Sequence, residues 1–155
     1  MRIWKKTIIF MTILIILIFS VAALSQDSIN PFVLEEHPSP SNWIHENQIQ
    51  VSKNKVTLNI KNSIWAKFTN TNSMDPFLDQ DSNAIEILPN KADDINVGDV
   101  ISYQSSYGVI IHRVIEKGED NQGIYYITKG DNSPFKDPSK IRFKDVKGVV
   151  VAIIY

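Results

Sequence analysis

Val56-Thr57-Leu58-Asn59-Ile60-Lys61-Asn62-Ser63-Ile64-Trp65-Ala66-Lys67-Phe68 holds two runs of alternating side chains, split by Asn62-Ser63. A period of two places successive side chains on opposite faces of a strand, so each run reads as a half-buried β-strand. Ile85 to Leu88, Val100 to Tyr103, Val109 to Ile115, Ile124 to Thr128 and Val149 to Ile154 extend the pattern. Asn90, Gly98-Asp99, Gly118, Gly123 and Gly130-Asp131-Asn132 punctuate it. Beyond the N-terminal region no stretch keeps a helical period over about eleven residues. Many short strands with turns between them predict a mainly β domain, a small barrel or folded sheet.

Upstream the chemistry changes. Thr7 to Leu24 carries no charge over 18 residues. As a helix this run spans ~27 Å, close to the ~30 Å hydrocarbon core of a bilayer. Arg2, Lys5 and Lys6 precede it and Asp27 follows. The positive-inside rule then predicts a single-pass anchor with a cytoplasmic N-terminus and an extracytoplasmic body. A cleavable signal peptide ending near Ser20-Val21-Ala22-Ala23 is the competing reading, and it exports the body equally. Between Gln26 and Trp43, Pro31, Pro38 and Pro40 with Ser39, Ser41 and Asn42 predict a linker. The expected organisation is an anchor over 1–25, a linker over 26–45 and a domain over 46–155.

Composition narrows the function. Net charge is −1, and the three N-terminal cations leave −4 on the rest of the chain. A mildly acidic body lacks the basic face that nucleic acid requires. The chain has no cysteine, which removes disulfides, thiolate metal sites and a cysteine nucleophile. His37, His45 and His112 are the only imidazoles, too scattered to predict a metal centre. No cofactor is expected.

Four segments carry possible chemistry. Thr71-Asn72-Ser73-Met74-Asp75-Pro76 follows a predicted strand; as a bare sequence it is a polar turn. His112 interrupts the apolar run Val109 to Ile115, where a histidine is either a satisfied core residue or a base suited to neutral pH. Thr128-Lys129-Gly130-Asp131-Asn132 and Phe135-Lys136-Asp137-Pro138 are turn-like, with one aspartate each. Taken together they supply what nucleophilic catalysis needs: a hydroxyl, a base to activate it and a carboxylate to orient the base.

In this order the segments resemble the type I signal peptidases, in particular their archaeal and endoplasmic-reticulum branch. The matching boxes are Ser73-Met74-Asp75-Pro76, Gly98-Asp99, His112-Arg113-Val114, Lys129-Gly130-Asp131-Asn132 and Asp137, six positions after Asp131. They span about Trp65 to Tyr155. The resemblance implies a membrane-anchored serine endopeptidase that cuts exported preproteins after small residues. It implies Ser73 as nucleophile, His112 as general base, and Asp137, with Asp131 next, as the orienting carboxylate. The Ser73 N–H and Thr71 would form the oxyanion hole. Ile64, Ala66, Phe68 and Met74 are expected to line the substrate site, with the peptide added as a strand alongside Ile64 to Phe68.

Two features depart from the family pattern. Ser73 lies 49 positions beyond Leu24, farther than is usual, and Asn72 stands where glycine is usual. Asparagine tolerates left-handed backbone better than most residues. Two rival readings share the sequence. One is a catalytically inactive, membrane-tethered β-module that binds extended peptides or a protein partner. The other is a self-cleaving membrane protein.

Overall fold

The computed structural model describes Trp4, residues 11–16 and residues 37–155. The chain divides into two compact units, Met1–Glu36 and His37–Tyr155. In the first, residues 11–16 are α-helical and exposed. Most of the expected anchor lies outside the described residues; among those described, no helix is long and apolar enough to cross a membrane.

The second unit is mainly β. Strands β1 (Ile49–Ser52) and β2 (Lys55–Leu58) form a small antiparallel hairpin. The main sheet contains β3 (Ser63–Lys67), β4 (Asn83–Ile87), β5 (Val100–Ser105), β6 (Gly108–Asp120), β7 (Gly123–Lys129), β8 (Ile141–Arg142) and β9 (Val146–Ile154). Their spatial order is β3-β4-β9-β5-β6-β7-β8, and every pairing is antiparallel. The last strand is thus inserted between β4 and β5. Among the described residues β3 and β8 each have one neighbour, so the sheet keeps two free edges; of the expected small barrel or folded sheet, the barrel does not close. Bulges at Ile85/Glu86, Ser102/Tyr103 and Val114/Glu116 bend the sheet.

Strand β5 explains the two-sided core. Its first four residues are all buried. Ile101 and Tyr103 point into a cluster with Ile95, Val114, Tyr126, Ile141, Val146 and Val149. Val100 points the other way, into a cluster with Met74, Leu78, Ala84 and Val150. A strand covered on both faces reads as a continuous apolar run rather than an alternation. Full burial of such a side chain stabilises by ~1.5–3 kcal/mol.

From His37 onward the segment expected as a linker packs on this body. Ser41 N–H donates to Asp99 Oδ1 at 2.6 Å, and Trp43 packs against the larger cluster. Asp99 is fully buried, its Oδ2 accepting from Asn96 N–H at 2.8 Å. Gly98 has φ +100, and a Cβ placed there would lie 2.1 Å from the Ser39 carbonyl oxygen. The Gly98-Asp99 pair therefore fastens residues 38–41 to the sheet. Gly98→Ala combines a left-handed backbone with a backbone clash, and should cost about 2–4 kcal/mol. Calorimetry should show a clearly lowered Tm; an unchanged Tm would contradict this role.

Candidate active site

Ser73 sits in the loop that leaves β3, after Asn72, which adopts the left-handed φ of 56°. Beyond Ser73 the chain turns tightly, with Phe77 and Leu78 N–H both donating to the Met74 carbonyl. Met74 is buried and its sulfur accepts from Asp131 N–H at 3.4 Å. Asn132 holds the loop from the other side: its N–H donates to Ser73 O at 2.9 Å and its side-chain amide to Asn72 O at 3.0 Å. The Gly130-Asp131-Asn132 turn is thus the clamp that fixes the Ser73 loop.

His112 lies on β6, opposite Ile101 of β5. Its Nδ1 is 2.7 Å from Asp137 Oδ2. The same oxygen accepts from Thr128 Oγ1 at 2.6 Å and from Tyr103 Oη at 2.8 Å. Asp137 is positioned by its own N–H, which donates to Thr128 O at 2.8 Å. Burial alone would raise its pKa, but the bonds from His112, Thr128 and Tyr103 outweigh burial and hold the carboxyl below its usual 3.8. Burial, opposed by the Thr128 bond and reinforced by the hydrogen bond to Asp137 and its charge, pushes the Tyr103 phenol well above its usual range, so it stays a donor. An ionised Asp137 fixes the Nδ1–H tautomer of His112 and leaves Nε2 with its lone pair free.

That lone pair faces the Ser73 loop. A Cβ on Gly130 would lie 2.5 Å from Ser73 O and 3.0 Å from His112 Nε2, so the missing side chain of Gly130 lets the Ser73 loop and the imidazole approach. Ser73 and His112 line one cavity of ≈ 470 Å³ together with Thr71. Ser73 Oγ is bonded to Thr71 Oγ1 at 3.2 Å rather than to His112. Loose nucleophile–base bonds are common in unliganded active sites and tighten when substrate is bound. The Ser73 N–H has no acceptor among the described residues.

No protein-family model and no solved structure matches the chain. One curated protein, an uncharacterized protein of Methanocaldococcus jannaschii, is 43% identical over 44 residues. That stretch covers 28% of this chain and 22% of that protein, so the chain spans only about a fifth of its length.

Asp131, expected beside Asp137 in role, is placed elsewhere. Its two oxygens take Arg113 Nε at 2.7 Å and Nη2 at 2.6 Å, while Arg113 Nη1 donates to Gly98 O at 2.8 Å. It therefore ties the Gly98-Asp99 turn to the clamp on the Ser73 loop and makes no bond to His112. The two aspartates should separate by experiment. Asp131→Ala strands a largely buried guanidinium and should cost about 3 kcal/mol of stability. Asp137→Asn should cost less stability than Asp131→Ala and lower any activity that uses His112 as base by ~10²-fold or more, since the imidazole loses its fixed tautomer. Equal effects of both on Tm and kcat would contradict the assignment.

The sequence does not single out Tyr103, which looks like an ordinary core residue of an apolar strand, and offers Thr128 only as the start of a turn-like segment. Tyr103→Phe removes one donor from the Asp137 carboxylate, which then holds a protonated imidazole more strongly. The acid limb of any activity that uses His112 as base should move to higher pH. A superimposable pH–rate profile would show that Tyr103 only fills space.

Ile64, Ala66, Phe68 and Met74 all line the cavity, as do Val109, Ile110 and Ile111 of β6. β3 presents its unpaired edge there. Glu86 of β4 and Ser102 of β5 are further lining residues the sequence reading missed. Their signal was available: Glu86 interrupts the apolar Ile85 and Ile87. Lys129 is paired in register with Arg113 at the end of β7 and does not line the cavity. Among the described residues no three His, Cys, Asp or Glu side chains converge on a metal-sized site.

Proposed function

We propose that this protein is a serine endopeptidase of the type I signal peptidase kind, anchored in the membrane by its N-terminal apolar run with the β domain outside. The observation that carries the reading is the Asp137–His112 pair, whose Nε2 lies with the Ser73 carbonyl oxygen around the position a Cβ on Gly130 would take. In this reading Ser73 Oγ attacks the scissile carbonyl while His112 Nε2 takes its proton. His112 then returns the proton to the leaving amine, and water repeats the sequence to release the acyl group. Asp137 keeps the tautomer and stabilises the imidazolium. The unpaired Ser73 N–H and the Thr71 hydroxyl would hold the oxyanion. Exported preproteins are the proposed substrates, laid as an added strand along the free edge of β3.

Incubating the protein with a model preprotein and mapping the products tests this. Cleavage after small residues by the wild type, absent with Ser73→Ala, is the expected result. Placing proline at successive positions before the cut should give alternating sensitivity, because proline removes the N–H at positions that pair with β3. Uniform tolerance would rule out strand addition. One observation favours a second reading, an inactive module that binds extended peptides: Ser73 Oγ is engaged by Thr71 and not by His112. Peptide binding with no cleavage under any condition would select it.

A further inference from the structure

The hairpin β1–β2 sorts its side chains by face. Directly opposed residues of an antiparallel pair share a face, and neighbours in sequence alternate. Ile49 opposes Leu58 and Val51 opposes Val56, while Gln50 opposes Thr57 and Ser52 opposes Lys55. One face is therefore wholly apolar and the other wholly polar. The apolar face is not core: Val51 is 75% exposed, Val56 62% and Ile49 43%, and none of the four belongs to either buried cluster. Ile49 carries it on into a depression of ≈ 570 Å³, which it lines with the exposed Phe77 and Ile153. Scattered apolar residues on a surface are ordinary. An aligned face of branched side chains, on a two-stranded hairpin that is itself marginal in water, calls for a cover. Charge says of what kind. Lys53 and Lys55 are exposed at the turn, and Lys61 is exposed just after β2. Residues 47–74 hold four lysines and no acid, in a chain whose net charge is −1.

We propose that the apolar face of the β1–β2 hairpin docks on an anionic lipid bilayer, Val51 and Val56 entering the boundary between headgroups and acyl chains while Lys53, Lys55 and Lys61 pair with lipid phosphates. The inference rests on the proposed membrane anchor and is independent of the peptidase chemistry. Apolar side chains beside a cluster of lysines are the combination that holds a polypeptide in the interface, because burial of the first adds to attraction of the second toward anionic headgroups. The long lysine side chains reach the headgroups while their stems stay against apolar surface. Chain length permits the contact. His37 is 13 positions beyond Leu24, a tether of at most ~45 Å when fully extended. The β domain is thus confined near the bilayer, where even a weak contact is made much of the time. Docking fixes the height of the Ser73 groove over the lipid, which the 49 positions between Leu24 and Ser73 leave open.

The chain has no cysteine, so a single introduced cysteine carries a dye at one known position. The full chain, labelled with the environment-sensitive dye NBD through Val51→Cys, Val56→Cys, Gln50→Cys or Ser52→Cys, is reconstituted with vesicles of phosphatidylglycerol and phosphatidylcholine that contain a doxyl-acyl lipid as quencher. Emission at positions 51 and 56 should shift to the blue and be quenched, while that at positions 50 and 52 stays aqueous. Each lysine near an anionic surface strengthens binding about fivefold, so replacing Lys53, Lys55 and Lys61 by glutamine together should lower the ratio of docked to undocked domain by ~10²-fold. The label at position 51 should then return to water, as it should in vesicles of phosphatidylcholine alone. Labels that all stay aqueous in protein that floats with the vesicles, or a depth pattern indifferent to the lysines and to lipid charge, overturn the inference and leave the anchor intact. Blue-shifted emission at position 51 that the doxyl lipid does not quench would assign the face to a protein neighbour, such as a second copy, and overturn it too. The alternating pattern in protein that alkaline carbonate strips from the vesicles would sustain docking while removing the anchor.

Discussion

Ser73→Ala and His112→Ala should each lower preprotein cleavage by ~10³-fold or more, and the double substitution should lower it no further. The physical reason is that nucleophile and base act as one unit: a hydroxyl without a base is weakly nucleophilic, and the base alone has nothing to activate. Both side chains line the same cavity, and neither belongs to the two buried core clusters. Melting temperatures should therefore stay close to wild type. Kinetics of the single and double variants, with Tm measured on the same samples, check this. Multiplicative losses in the double variant would mean that the two residues act independently.

Gly130→Ala should be nearly as damaging to activity while adding a single methyl group. The new Cβ would meet the Ser73 carbonyl at 2.5 Å and His112 Nε2 at 3.0 Å. The first neighbour is backbone, already fixed by Asn132 N–H at 2.9 Å, so it has no cheap way to yield. The nucleophile loop must move relative to the imidazole, and a displacement near 1 Å costs on the order of 10²-fold in rate. A low kcat in a folded Gly130→Ala protein is the expected outcome. Wild-type kcat would show that Ser73 and His112 do not work across this glycine.

Much of the β domain was legible because its strands follow local rules. The alternation of Ile64 to Phe68 became β3, and the Val109 to Ile115 run became the first half of β6. Gly118 misled: read as a breaker, it lies inside β6, where a Cβ would collide with the Tyr125 ring. The two-residue β8 carries too short a pattern to detect. Barrel closure was not legible either, since pairing between distant strands leaves no local mark. In the site, Ser73, His112 and Asp137 stood out as polar groups at strand ends and interruptions. The partition of the two aspartates did not, because it depends on Arg113 reaching Asp131 while Thr128 and Tyr103 reach Asp137. Pro38 to Ser41 looked like linker, for proline content says nothing about a buried Asp99 waiting to accept from Ser41.

The proposed endopeptidase activity requires the Ser73 hydroxyl to be activated by His112. A short peptide ending in an alanine diphenyl phosphonate reports on this directly, since it phosphonylates only an activated nucleophile that it reaches from the substrate groove. Peptide mapping by mass spectrometry should find one adduct, on Ser73, formed far more slowly in the His112→Ala protein. An adduct on another residue, or labelling of Ser73 at an undiminished rate without His112, would contradict the account.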